Sequence, residues 1–204
     1  SAEAFGLIEI NTNAGGAMLN AMLARAQRAC CPAMEAMVPK PATADALEAR
    51  IVAMFQREWT LSGRTGPLRS IAIVDEAPSE QYLYPEFLLF QRLFQRHGLT
   101  AVIADPREFA MRGGVLWHGG LPVDLVYNRL TDFALEAPAL QPLRQAFLDG
   151  NVALSPHPRA HALWADKRNL SLLWQPAFLA CTGLSQERQL LLAYKPFEFT
   201  FSVS

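Results

Sequence analysis

The feature that most constrains the fold is the alternation of short apolar segments with amphipathic ones after residue 69. The segments SIAIV (70–74) and LTAVIAD (99–105) are apolar almost throughout, which is typical of strands buried on both faces. Between them, PEFLLFQRLFQRHG predicts a helix with Pro85 near its start and Gly98 just after its end. Strands separated by helices predict βαβ units, so we expect an α/β fold with a mainly parallel sheet flanked by helices.

Later segments continue this alternation and add a hairpin. Residues 115–117 and 123–127 are apolar strand segments on either side of Gly119-Gly120, a pair that predicts the hairpin turn. The other predicted elements are a helix over 139–150, a strand over 151–155 and a helix over 161–174.

The N-terminal part predicts a strand over 6–12, a turn at Gly15-Gly16 and helices over 17–29 and 44–59. The polar segment TLSGRTGPLR (60–69) is rich in turn-forming residues and predicts a boundary. We therefore expect an N-terminal piece over 1–62, a main α/β domain over 68–192 and a divergent tail over 193–204.

Composition excludes several classes of partner. The 204 residues carry a net charge of -1, so there is no basic surplus to attract nucleic acid or an anionic membrane surface. No apolar run is long enough to span a bilayer. Three cysteines make a poor disulfide framework, which favours a reducing, cytoplasmic location.

Polar residues in the first predicted strand indicate a metal site. Side chains alternate along a strand, so Glu9, Asn11 and Asn13 are expected on one face. Carboxylate and amide oxygens are the ligands that magnesium prefers, and the Gly15-Gly16 turn offers backbone N–H groups to an anion. An edge strand with a polar face and an ordinary turn explains the same pattern.

Residues that follow the other predicted strands are candidates for ligand binding, because parallel sheets bind ligands at the carboxyl ends of their strands. Arg129 offers a bidentate fork to a carboxylate or phosphate, unless it is a surface arginine paired with Asp132. The long loop 75–87 contains Glu76 and Glu86, which could hold an amine unless the loop is simply acidic and solvated. His157 and His161 have the spacing of a metal-binding pair on a helix. They are not expected to share a helical face, however, because His157 precedes a proline.

Three motifs, EINTNAGG, YNRLTDF and ADKRNL, occur in this order and together resemble a known family. They are similar to the circularly permuted ATP-grasp proteins, a group of glutathionylspermidine-synthase-like and eukaryotic-type glutathione-synthetase-like ligases. The resemblance covers nearly all of residues 6 to about 192. It implies a pre-ATP-grasp, Rossmann-like substrate domain together with one metal-binding strand of the ATP-grasp active site.

The resemblance also implies roles for individual residues. Glu9 and Asn11 match the family's magnesium ligands, and Lys167, or less closely Arg168, matches the lysine that begins the ATP-binding region. Arg129 matches the arginine that holds a substrate carboxylate. The remaining candidates for substrate contacts are Asn13, Gly15, Gly16, Glu76 and Glu86. The implied cofactors are Mg²⁺ and ATP, although NAGGAMLNA replaces the family's serine-rich loop, so substrate contacts are expected to differ.

The resemblance leads us to expect part of an ATP-dependent carboxylate–amine ligase, in which a substrate carboxylate attacks the terminal phosphate of ATP and an amine displaces phosphate from the acylphosphate. The remaining ATP-grasp segments would follow Lys167, so this chain alone is expected to be inactive and to need the missing ATP-grasp portion. Its other partner would be a small molecule or peptide with a carboxylate.

Two alternatives remain at this stage. The chain could be a stand-alone domain, or a partner subunit, that binds a small peptide or amino acid without catalysis. It could also be a truncated product with no activity of its own.

Overall fold

The computed structural model describes residues 9–26, 34, 41–186 and 189. The helices in this part of the chain are α1 (Ala17–Ala26), α2 (Pro41–Leu61), α3 (Tyr84–Arg96), α4 (Gln141–Leu148), α5 (Pro158–Trp164), α6 (Asn169–Leu173) and α7 (Pro176–Ala180). The strands are β1 (Ser70–Val74), β2 (Thr100–Ala104), β3 (Phe109–Arg112), β4 (Val115–His118), β5 (Leu121–Pro122), β6 (Leu125–Asn128) and β7 (Ala153–Ser155). None of these helices has the length and apolar character needed to span a bilayer.

Four strands form a parallel sheet in the order β2-β1-β6-β7. The chain leaves β1 through α3 to reach β2 on one side, and leaves β6 through α4 to reach β7 on the other. The connections therefore diverge between β1 and β6, which makes this the switch point of the sheet. The predicted α/β fold class is confirmed, and β1 has the bounds that the sequence predicts.

Hydrophobic side chains cover both faces of this sheet. On one face, Phe55 of α2 and Phe90 of α3 pack edge-on against Tyr127 of β6, with ring centroids 5.0 and 4.9 Å apart. On the other face, Val126 of β6 shares a buried cluster with Leu143 of α4 and with residues of the hairpin strands. Burial on both faces explains why the strands are apolar throughout rather than alternating.

The predicted hairpin is correct in its turn and wrong in its second strand. Strands β3, β4 and β5 form a small antiparallel sheet, and Gly119-Gly120 lies between β4 and β5. The predicted strand over 123–127 instead contributes to β6 of the parallel sheet. Asp124 explains the change of sheet, because its carboxylate accepts hydrogen bonds from the backbone N–H groups of Arg69 and Ser70 beside β1.

The N-terminal segment departs from its prediction. Residues 9–11 have no regular secondary structure and residues 12–13 form a turn, so the predicted strand over 6–12 is wrong in its described part; residues 6–8 lie outside the described residues. Strand alternation therefore does not place Glu9, Asn11 and Asn13 on a common face. Helix α1 follows as predicted, with residues 27–29 of the predicted helix outside the described part.

Contacts within the chain define two compact units, one over Asn13–Pro158 and the other over Ser1–Thr12 with Arg159–Ser204. The domain boundary at 60–69 stays a prediction; helix α2 before it and the parallel sheet after it share one hydrophobic core. The predicted tail over 193–204 lies outside the described residues.

The predicted helix over 161–174 is interrupted in the structure, where α5 ends at Trp164 and α6 begins at Asn169. In the gap, the Asp166 carboxylate accepts a hydrogen bond from the backbone N–H of Arg168 at 2.8 Å. Such local side-chain bonds compete with the helical hydrogen-bond pattern, which explains the break. Lys167 therefore lies in a turn and not within a continuous helix.

Candidate functional site

A pocket of about 460 Å³ opens where β1 and β6 end. Asp75 and Glu76 follow β1, while Arg129 and Thr131 follow β6. The other lining residues come from the loop after β1 and the turn before α1, namely Gln81, Tyr82, Leu83 and Asn13. Because β1 and β6 flank the switch point, this strand-end pocket occupies the place where open parallel sheets bind ligands.

The chain around Arg129 fixes the position of its guanidinium group. The Nη1 atom donates hydrogen bonds to the Asn13 side-chain oxygen and, at 3.0 Å, to the Ala14 carbonyl oxygen. The guanidinium carbon lies 5.4 Å from the centroid of the Tyr127 ring, a cation–π distance. Among the described residues, no carboxylate oxygen lies within 4.0 Å of this group, so Arg129 lines the pocket as a cation without an ionic partner.

The alternative that Arg129 is a surface arginine paired with Asp132 is wrong. Arg129 is only 8% exposed. The Asp132 carboxylate instead accepts hydrogen bonds, each 2.8 Å long, from the backbone N–H groups of Glu136 and Ala137. The Asp132 carboxylate thus stabilises the loop beyond the pocket and does not pair with Arg129.

Glu86 holds the turn that covers Arg129. One carboxylate oxygen accepts the backbone N–H of Gly16 at 2.7 Å, and the other accepts that of Met18 at 2.9 Å, where α1 begins. The predicted anion site at this turn therefore exists, but the chain's own carboxylate fills it. Both carboxylate oxygens of Glu86 accept hydrogen bonds, and the residue is only 1% exposed. Glu86 therefore stabilises the turn beside the pocket, which is a different role from the predicted substrate contact.

Gly15 allows the turn to approach the pocket residues closely. A Cβ atom at this position would lie 2.7 Å from the Leu83 side chain and 3.2 Å from Nη2 of Arg129. Any other residue would therefore press against the guanidinium group or displace Leu83. Gly15, a predicted substrate contact, thus belongs to the backbone that packs against Arg129, and Gly16 is the residue whose N–H donates to Glu86.

The loop after β1 is anchored to the end of β2. Ala77 has a left-handed backbone conformation with φ of 40°, and its N–H donates a 2.9 Å hydrogen bond to Asp105. The Arg107 guanidinium beside Asp105 holds the pKa of that carboxyl well below its usual range, so the anchor stays charged. Asp105 is therefore a positioning residue for the loop that carries Glu76, Gln81 and Tyr82.

The structure perturbs the ionisation of Asp75 in the strand-end pocket. Burial raises its pKa to about 6 from 3.8, against the lowering effects of the Glu76 backbone N–H and of the Arg129 charge. A carboxyl group with this pKa is partly protonated just below neutral pH. It can therefore accept or release a proton, or bind a ligand cation, as the pH changes.

Replacing Asp75 with asparagine is expected to remove a pH dependence of stability. Between about pH 3.8 and 6 the folded protein keeps a proton on Asp75 that the unfolded chain has lost, so wild-type stability falls as the pH rises through this window. The variant lacks this fall and gains stability relative to wild type at pH 7. Urea unfolding of both proteins at pH 4 and 7 measures the difference, and parallel pH profiles would contradict the assignment.

The other unit brings together Glu9, the predicted magnesium ligand, and Lys167, the predicted nucleotide-binding residue. The ammonium group of Lys167 lies 2.9 Å from a carboxylate oxygen of Glu9, although the two are far apart in the sequence. Thr12 is hydrogen-bonded to His161 at 2.9 Å in the same unit. Arg168, the less close match for the family lysine, forms an ion pair with Asp166 instead.

Glu9 and Asn11 have donor oxygens of the type that magnesium prefers, and one carboxylate oxygen of Glu9 is paired with Lys167 in this structure. A cation at the paired oxygen of Glu9 would meet the positive charge of Lys167. Within the described part of the chain, no group of three or more acidic, histidine or cysteine side chains could hold a metal ion. In this geometry Glu9 is the ionic partner of Lys167.

The sequence-predicted residues thus fall into three groups. Asn13, Glu76 and Arg129 line the strand-end pocket together; Gly15, Gly16 and Glu86 support it; Glu9, Asn11 and Lys167 belong to the other unit. Sequence analysis did not select Gln81, Tyr82, Leu83 or Thr131 as site residues. The unusual length of loop 75–87 and the motif YNRLTDF were the signals that could have found them.

Comparisons with known proteins add no assignment. No family model matches this chain. A search of curated proteins likewise gives no match. The ATP-grasp relationship therefore remains a hypothesis supported by the three motifs.

Proposed function

We propose that this chain supplies the substrate-binding part of an ATP-dependent carboxylate–amine ligase, a cytoplasmic enzyme that would use ATP and Mg²⁺. In this proposal the strand-end pocket receives an amino acid or short peptide. Arg129 binds the carboxylate of this substrate, and Asp75 and Glu76 lie where they can hold its ammonium group. The proposal rests on the motif resemblance and on the charged side chains that line the pocket.

The observation that carries the proposal is the pairing of opposite charges across the switch point. Arg129 follows β6 and the two acids follow the adjacent strand β1, so one pocket presents a cation and two carboxylates. A zwitterion can satisfy both sets of charges at once, whereas a simple anion or cation satisfies only one. An arginine without an ionic partner, positioned by its own chain, is suited to orienting a carboxylate.

The ion pair of Glu9 and Lys167 supports the nucleotide part of the proposal. Both residues match family positions close to the ATP phosphates, and the structure places their charged groups in direct contact. A phosphate could compete with Glu9 for the lysine, since both are anions. The ion pair would then hold Lys167 until a nucleotide binds.

The second candidate is a binding domain without catalysis. The residues that line the strand-end pocket all belong to the Asn13–Pro158 unit, so ligand binding there need not involve Glu9 or Lys167. This candidate predicts that glycylglycine binds with an affinity that Mg²⁺ and ATP leave unchanged.

Calorimetric titration with glycylglycine separates the two candidates. The ligase proposal predicts that a Mg²⁺–ATP mixture binds the chain or changes the affinity for the dipeptide, and that Lys167→Ala abolishes this effect. Arg159→Ala, which removes an exposed cation of the same unit, is the matched control. Dipeptide binding without any response to Mg²⁺–ATP would leave only the binding domain, and absence of dipeptide binding would exclude both.

A further inference from the structure

A second cavity, of about 280 Å³, lies between the C-terminal end of α2 and strand β7. It shares no lining residue with the strand-end pocket. Its apolar walls are formed by Leu61, Phe147, Val152 and Leu154. We call it the α2–β7 cavity, and its size is suited to a ligand of about ten non-hydrogen atoms.

Arg64 provides the positive charge in the lining of this cavity. The guanidinium group stacks on Trp59 at 5.0 Å from the ring centroid and donates one hydrogen bond to the Gly150 carbonyl oxygen. Its Nε atom is buried and has no hydrogen-bond partner. Among the described residues, no carboxylate oxygen lies within 4.0 Å of it.

An arginine in this state has lost part of its hydration without gaining a counter-ion from the described part of the chain. Burial accordingly lowers the pKa of Arg64, with only the more distant Asp124 acting in the opposite direction. A partly desolvated cation gains more from an anion placed beside it than a fully hydrated cation does. The cavity beside Arg64 provides that space.

Two other polar residues, Glu58 and His157, bear on which anion fits. Glu58 lines the same cavity, and its negative charge opposes a ligand that carries two negative charges, such as a phosphate ester. His157 also lines the cavity, and an imidazole can hydrogen-bond a carboxylate. The Ser62 hydroxyl lines the cavity as well, but it donates its hydrogen bond to the Trp59 carbonyl oxygen at 2.6 Å. The apolar walls require a hydrocarbon body behind the charged group.

We propose that the α2–β7 cavity binds a small monocarboxylate with an apolar body, whose carboxylate pairs with Arg64. This binding site lies outside the proposed ligase function and does not depend on it. Phenylacetate and hexanoate are suitable probes because each combines one carboxylate with a compact apolar group.

The test is an NMR titration that follows the indole N–H of Trp59 and the backbone amides of the cavity. Phenylacetate or hexanoate is expected to bind with a dissociation constant on the order of 1 mM, as befits its size. Phenylacetamide, which lacks the charge, and phenyl phosphate, which carries a second one, are expected to bind at least about tenfold more weakly. The amides of Asp75 and Thr131, in the strand-end pocket, should keep their shifts.

Two variants test the cavity itself. Arg64→Gln removes the charge and Leu61→Trp narrows the cavity at a side chain that is 65% exposed, so each is expected to weaken binding at least about tenfold. Arg57→Gln, at an exposed position of the same helix, is the control and should leave the affinity unchanged. If Arg64→Gln does not fold, Leu61→Trp still decides. Equal binding of the amide, no saturable binding of either carboxylate, or wild-type affinity in the folded variants overturns the proposal.

Discussion

Replacing Glu86 with alanine is expected to lower the free energy of unfolding by roughly 3–5 kcal/mol. The variant loses two hydrogen bonds to a buried carboxylate, and the two backbone N–H groups that donate them lose their acceptor. These hydrogen bonds lie at the start of α1. The first N–H groups of any helix have no partner within the helix itself, so they depend on acceptors such as Glu86. Glu86→Gln should cost less, since its amide oxygen can still accept one of the two N–H groups. Urea unfolding measures both variants.

Glu80→Ala is the matched control for this prediction. It removes an exposed carboxylate from the segment that precedes α3, and its effect should stay within about 0.5 kcal/mol. Hydrogen exchange adds a local readout, because the amides of Gly16 and Met18 should exchange faster in Glu86→Ala. A Glu86→Ala protein as stable as Glu80→Ala would show that the carboxylate does not hold α1.

Much of the fold could be predicted from the sequence because its signals are local. Strand β1 and helix α3 are marked by apolar runs and by the positions of Pro85 and Gly98. The order β2-β1-β6-β7 has no such signal, because it depends on which strands meet across long connections. The second strand of the hairpin was assigned to the wrong sheet for this reason: Asp124 binds backbone from the distant start of β1.

The candidate site was predictable only in part, since its geometry depends on residues remote in sequence. The predicted strand end indicates Arg129, and in the structure this residue follows β6 and lines the strand-end pocket. The turn after Asn13 was recognised as an anion site, but nothing in the sequence shows that Glu86, about seventy residues away, supplies the anion. Strand periodicity likewise does not predict the Glu9–Lys167 ion pair. It predicts that Glu9 shares one strand face with Asn11 and Asn13.

Replacing Arg129 with methionine is expected to weaken glycylglycine binding about 100-fold, since the ligand carboxylate loses its only cationic partner in the pocket. Arg129→Lys should recover only part of the affinity, because an ammonium group cannot form the bidentate contact of a guanidinium. Asn13→Ala should have a smaller effect, because it removes one of the oxygens that fix Nη1 and leaves the charge in place. Arg112→Met, at an exposed position, is the control for loss of an arginine.

The methionine variant also removes hydrogen bonds to Asn13 and Ala14, so weaker binding alone could reflect a displaced turn. Glycylglycinamide, which lacks the carboxylate, resolves this point through a double-mutant cycle. Wild type should prefer the dipeptide over its amide by about 100-fold, and Arg129→Met should bind both with nearly equal affinity. A displaced turn would weaken both ligands alike and keep the preference, which would exclude direct contact between Arg129 and the carboxylate.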